Sequence, residues 1–137
     1  MLLMILKIEK YTNNIRLIGL MALLVGVAAW VLDLTGLVYE CPYCRTQRTV
    51  IALLGIILML PNPRHWLLRY IATSVAFLGA HVAAAQHFAG WRKISGGTFS
   101  FSDQIYIDPF LLSGCALFMI VGLASLLFVS QPSDDTQ

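Results

Sequence analysis

The chain has 137 residues, of which 58% are hydrophobic and only 12% charged, with a formal net charge of +2 and a mean hydropathy of +0.77. A soluble domain carries about a quarter of its residues as charges, so the composition excludes one and leaves an integral membrane protein. It leaves no room for a soluble catalytic module and marks no nucleic-acid-binding surface. Spans over residues 15–38, 42–60, 66–88 and 109–130 are expected. They predict an all-α membrane protein, a four-transmembrane-helix bundle in one domain over residues 1–137.

The first span carries Gly19, Ala22 and Gly26, small side chains that let a neighbouring helix come close. Asp33 near its outer end is a polar exception, suited to pairing with Arg45 or to reaching water. No small-residue cleavage site stands out around this long segment, so no cleavable signal peptide is expected.

The second apolar run is too short as it stands. Thr49 to Leu60 would rise only about 18 Å at ~1.5 Å per residue, against a hydrocarbon thickness of about 30 Å, so its helix must begin earlier. A start at Pro42 supplies the length, and proline suits a first helical turn because its missing N–H would be unpaired there anyway. Cys41-Pro42-Tyr43-Cys44 then stands at the mouth of the helix, followed by Arg45-Thr46-Gln47-Arg48. Cysteines so spaced can close a small disulfide ring, and at a helix N-terminus the free amides and the dipole favour a thiolate. The same spacing also serves as half of a zinc site, or as two buried thiols without chemistry. At about 100° per residue, Cys41, Cys44 and Arg48 share one helix face, with the cation roughly a turn below the thiols. An arginine at that depth pairs, faces a polar cavity or snorkels to headgroups. Arg45, nearer the water, is the better candidate for snorkelling, and Gln47 offers a hydrogen-bonding group at the same level.

The octapeptide Cys41 to Arg48 resembles the CxxCxxQR/ER signature of the disulfide bond formation protein B (DsbB) family, at the start of the second of four transmembrane helices. The resemblance implies Cys41 and Cys44 as a catalytic redox pair beside a quinone, ubiquinone or menaquinone. Arg48 is then the quinone-adjacent cation, with Gln47 and His87 as further cofactor-binding candidates. The implied activity is that of a membrane thiol-disulfide oxidoreductase passing electrons from a protein dithiol to the quinone. Its expected partners are membrane lipid, the quinone and an exported thioredoxin-like (DsbA-like) or other dithiol protein. DsbB proteins usually carry a second cysteine pair between the third and fourth helices. Here the loop 89–108 has none, because the chain has 3 cysteines in all and the third is Cys115. Direct exchange between the partner and Cys41 or Cys44 is the route that remains. Two competing readings use the same residues. One is a non-enzymatic membrane assembly subunit that holds a metal or partner through the CxxC. The other is a vitamin K epoxide reductase-like quinone enzyme, against which the position of the cysteines and Gln47-Arg48 both speak.

Pro61-Asn62-Pro63 predicts a tight turn, making the second and third helices antiparallel neighbours. The third span carries Ala72, Ala76, Gly79, Ala80 and Ala83 for close packing. His81 and His87 lie about 120° apart around that helix, and His65 lies at its other end, so neither a joint metal pair nor a bis-histidine haem is expected. His81 suits an interhelical hydrogen bond. His87, at the cysteine end, is either a donor to a quinone carbonyl or a satisfied interfacial histidine. The exported loop 89–108 mixes Trp91, Phe99, Phe101 and Tyr106 with glycine and serine, the make-up of an interfacial anchor or of a lid over the cysteines. Asp108-Pro109 marks the start of the fourth helix. Gly114, Gly122 and Ala124 again permit close approach there, and Cys115 reads as a small buried side chain.

Lys7, Lys10, Arg16, Arg64 and Arg69 fall on one side of the membrane, and Arg92 and Lys93 on the other once Arg45 and Arg48 are assigned to the helix start. That balance predicts cytoplasmic termini in a multi-pass bacterial inner-membrane protein. The CxxC then faces the periplasm or exterior, where disulfides persist. The acidic tail 131–137 is expected to be mobile.

Overall fold

The structure, a computed structural model, describes residues 14–129. Lys7, Lys10 and the tail 131–137 lie outside them. Among the described residues the chain is all-helical: α1 Ile15–Leu34, α2 Pro42–Met59, α3 Trp66–Ser95, a 3-10 turn Ile105–Ile107 and α4 Pro109–Leu126. α1, α3 and α4 are long and apolar enough to cross a membrane. α2 falls outside that set because Arg45, Gln47 and Arg48 occupy its first two turns. It is the central helix instead, with α1, α3 and α4 all packed on it. It buries Gln47, Arg48, Val50, Ile51, Leu54, Gly55, Ile57 and Leu58, whereas α1 buries only Gly19, Ala22, Gly26 and Asp33. A helix shielded by three others has little surface to offer lipid, so it tolerates polar side chains that an outer helix would not. Large apolar side chains on the outer helices point away from the core instead, with Phe77 76% and Phe118 82% exposed. A surface of that kind suits lipid rather than water.

Glycine sets the α1–α2 distance. A Cβ built at Gly19 would come within 2.7 Å of the Gly55 carbonyl oxygen, and one at Gly55 within 2.7 Å of the Gly19 oxygen. Gly26 sits as tightly over Ala52, and Gly79 of α3 over Val50. Gly122 has open space around it, so the expected packing role does not apply there. The turn between α2 and α3 closes with the His65 N–H donating to the Asn62 carbonyl at 3.2 Å.

The helix starts fall where the sequence puts them, whereas the ends shift. α1 stops at Leu34 rather than 38, where Thr35 turns its N–H and its hydroxyl back onto Val31 and Gly36 takes φ +73°. α3 runs seven residues past the expected end at 88, to Ser95, before Gly96 and Gly97 stop it, the latter at φ +69°. At ~1.5 Å per residue its length of about 45 Å exceeds the hydrocarbon layer. The connecting loop is therefore 96–108. α4 ends at Leu126. Up-and-down topology brings the α1–α2 connection, the α3 C-terminus and the α4 N-terminus to one end of the bundle, where the cysteines lie.

Candidate functional site

Cys41 is the N-cap of α2. Its backbone is extended, Pro42 follows in the first turn, and its Sγ accepts the Cys44 N–H at 3.4 Å. Cys41 is buried and Cys44 half-buried, and both stand as free thiols. From α3, Gln86 reaches both sulfurs, its Nε2 lying 3.6 Å from Cys44 Sγ and 3.8 Å from Cys41 Sγ. The other end of that amide is fixed, because Gln86 Oε1 accepts from Gln47 Nε2 at 2.8 Å.

Arg48 does not snorkel. Its Nη1 donates to the Ala29 carbonyl at 2.9 Å and its Nε to the Cys44 carbonyl at 3.2 Å, and Nη1 lies 3.4 Å from Asp33 Oδ2. Its guanidinium carbon stands 5.7 Å from the centre of the Trp30 ring, within cation–π range. Asp33 Oδ2 also receives Arg45 Nε at 2.7 Å, and Arg45 Nη2 lies 3.6 Å from Glu40. Arg45 is therefore a tether between α1 and α2 rather than a side chain reaching for headgroups. Sequence offered Asp33 either Arg45 or water, and the structure chooses Arg45 and adds Arg48.

α1 and α4 make little direct contact with each other, so a cleft of about 510 Å3 opens between them with α2 as its floor. Cys44, Gln47, Arg48 and Ile51 form the floor. Val25, Ala29 and Leu32 of α1 make one wall, Leu112, Cys115, Ala116 and Met119 of α4 the other, and Tyr106 and Ile107 of the 3-10 turn close one end. The lining is mostly apolar, with a thiol, an amide and a guanidinium gathered on the floor.

The family model described as disulfide bond formation protein DsbB matches residues 12–98. The chain belongs to the DsbB family. As a DsbB protein it is a multi-pass helical membrane protein with a disulfide oxidoreductase role. Searches of curated proteins and of solved structures each returned no match. The DsbB match spans α1 to α3, and with them Cys41, Cys44, Gln47, Arg48 and Gln86. It ends before α4, so the Cys115 wall of the cleft lies beyond it.

The structure thus brings four of the five sequence-derived site residues of this DsbB protein together and turns the fifth away. His87 Nδ1 donates to the Phe110 carbonyl at 2.9 Å, and its ring stacks on Phe110 with centroids 4.2 Å apart. It belongs to the α3–α4 seam and does not line the cleft. Cys115 corrects an expectation in the opposite sense, being exposed on the cleft wall rather than buried. His81 is exposed and stacks on Phe77 of its own helix instead of bonding across helices. Of the aromatics expected in the loop, Trp91 lies in α3 and packs on His87 and Phe110, and Phe99 packs on Phe101 and Phe110, leaving Tyr106 as the one of the four that reaches the cleft. Among the described residues no three His, Cys, Asp or Glu converge as a metal-ligand set.

Gln86 is the residue that sequence reasoning missed. A signal was present: Ala72, Ala76, Gly79 and Ala83 recur at helical spacing along α3, and Gly90 continues the series. Gln86 falls in phase with that stripe, and a polar side chain in line with a packed face points at the neighbouring helix.

Proposed function

We propose that this chain is a quinone-linked protein disulfide oxidoreductase, in which electrons pass from an exported dithiol protein through Cys41 and Cys44 to a quinone in the α1–α4 cleft. The observation that carries this is the shared floor: Cys44, Gln47 and Arg48 line one apolar cleft. A quinone is a flat apolar ring with carbonyl acceptors at its edge, and the lining fits both properties. Val25, Leu32, Leu112 and Met119 would hold the ring, and Gln47 and Arg48 supply hydrogen-bond donors for a carbonyl. When bound, ubiquinone or menaquinone takes up the two electrons and two protons released as Cys41 and Cys44 close their disulfide.

The chain's own residues prepare that step. Arg48, pinned by Ala29, the Cys44 carbonyl and Asp33, keeps a positive charge beside Cys44. That charge favours a thiolate and negative charge growing on a nearby oxygen. Cys44 is the sulfur on the cleft floor, and Cys41, capped and buried, is its disulfide partner. In the other half-reaction a partner thiolate attacks one sulfur of the Cys41–Cys44 disulfide, giving a mixed disulfide and a freed cysteine thiolate. The second partner thiol then displaces the cysteine, leaving an oxidised partner and a reduced pair. With no cysteine in 89–108, that exchange is direct, and a DsbA-like thioredoxin-like protein is the fitting donor. In the membrane α2 serves as a fourth span sheltered by the other three. The termini lie in the cytoplasm and the cysteine end faces the periplasm of a bacterial inner membrane.

The test mixes detergent-purified protein with a short-chain ubiquinone and a reduced thioredoxin-like protein and follows quinone absorbance. Reduction is expected, and it should drop to background in Cys41→Ser and in Cys44→Ser. Equal rates in parent and serine variants would sink the proposal.

A further inference from the structure

We infer that Gln86 is a catalytic residue whose side-chain amide is a shared hydrogen-bond donor for whichever sulfur of Cys41 and Cys44 carries negative charge during exchange. The inference rests on the redox reading of the CxxC given above. Its geometry is specific: one amide nitrogen lies 3.6 Å from one sulfur and 3.8 Å from the other. An amide nitrogen carries two hydrogens, so each sulfur has a donor without the side chain having to move. Gln86 comes from α3, so it serves both sulfurs from across a helix interface rather than as part of the CxxC turn.

The strength of that contact depends on redox state. A thiolate is a strong acceptor, since hydrogen bonds to an ionised group are roughly twice as strong as neutral ones. Disulfide sulfurs accept weakly. The Gln86 contact therefore grows as the Cys41–Cys44 bond breaks and negative charge appears on the leaving sulfur, which is when it contributes to rate. Cys41 has a second donor in the Cys44 N–H at 3.4 Å. Among the described hydrogen bonds, Cys44 Sγ receives only Gln86.

Gln47 supplies the orientation. Because it donates Nε2 to Gln86 Oε1 at 2.8 Å, the Gln86 oxygen is engaged and the NH2 group faces the thiols. A carboxylate at position 47 can only accept. Gln47→Glu would make Gln86 turn its NH2 towards residue 47 and present its oxygen to the sulfurs, a contact that repels a thiolate. The two substitutions Gln86→Leu and Gln47→Glu therefore remove the same donor by unrelated routes, one of them leaving Gln86 in place.

The test uses full-length protein in detergent carrying Cys115→Ser, mixed at pH 8 with glutathione buffers and with neither quinone nor partner protein. In that reaction two glutathione thiols join as one disulfide while the Cys41–Cys44 bond breaks, two electrons and two protons passing to the protein sulfurs. Mass spectrometry after alkylation reads the reduced fraction. Followed as the reduced fraction against time, Gln86→Leu and Gln47→Glu are each expected to slow the breaking of the Cys41–Cys44 bond by glutathione about tenfold. Iodoacetamide should modify Cys44 about tenfold more slowly in both. Changes below about twofold in the rate of reduction by glutathione and in the alkylation rate would overturn the inference. If Gln86→Leu does not fold, Gln47→Glu decides alone. Because the assay contains no quinone, a negative quinone-reduction result and a negative result here are separate failures.

Discussion

Asp33 is a buried charge at the cysteine end of the bundle and answers to two guanidiniums at once. Its side chain is fully buried, Arg45 is 38% exposed and Arg48 only 10%. Arg45 stays in contact with solvent, where an ion pair contributes little. Arg48 has lost its water, and losing its partner leaves an uncompensated buried cation, typically a cost of about 3–5 kcal/mol. Asp33→Asn should therefore lower the unfolding midpoint in detergent, and the loss should shrink when Arg48→Leu is already present. Additive losses in that double-mutant cycle would show that the carboxylate acts through Arg45 alone. The same pair shows what a single sequence can and cannot display. Cys41, Cys44 and Arg48 were legible as a group because one helix fixes their phase. Spacing within α3 puts Gln86 on the packed face, but that it meets the thiols there, and that Asp33 meets Arg48, depends on how α3 and α1 sit against α2, which no spacing within one helix records.

At the scale of whole elements, α4 is held at its start by one side chain. Asp108 Oδ1 accepts the Phe110 and Leu111 N–H groups at 2.9 and 3.3 Å, and Oδ2 accepts the Ser102 N–H at 2.8 Å, tying the loop to the helix. Burial works against its charge, but the N–H groups of Ser102, Leu111 and Phe110 outweigh it and hold the carboxyl below its usual range. A carboxyl lowered on folding stabilises fully above its unfolded pKa of about 4 and loses that contribution as pH falls through its folded value. Asp108→Ala should cost about 1 kcal/mol or more at pH 7. Thermal midpoints of parent and variant, measured from pH 7 downward, should converge below about pH 4; a gap constant with pH would assign the loss to packing instead. Helix starts of this kind, Asp108-Pro109 and Cys41-Pro42, were readable because the cap residue and the proline act locally. The end of α3 was not. The expected span ends at 88, before Arg92 and Lys93, yet no residue stops the helix until Gly96 and Gly97.

Over the whole molecule, the least apolar helix lies at the centre and the two outer helices α1 and α4 fail to close around it. The resulting cleft lies between those two helices, lined mostly by apolar side chains. Sequence could not show this face of α4, because that helix is apolar all round and offers no polar stripe from which to orient Cys115. Its exposed thiol on the wall opposite Arg48 becomes a reporter for occupancy. In a Cys41→Ser/Cys44→Ser background Cys115 is the single cysteine of the chain. A short-chain ubiquinone should slow its modification by N-ethylmaleimide in a saturable way, and Arg48→Leu should raise the concentration needed for protection. Protection independent of Arg48 would describe apolar partitioning into the cleft rather than a site. Labelling that is indifferent to quinone at every concentration would remove the cleft from the reaction, whatever the cysteines prove to do. Binding without redox chemistry is thereby measured apart from turnover, since the variant used has no pair left to oxidise.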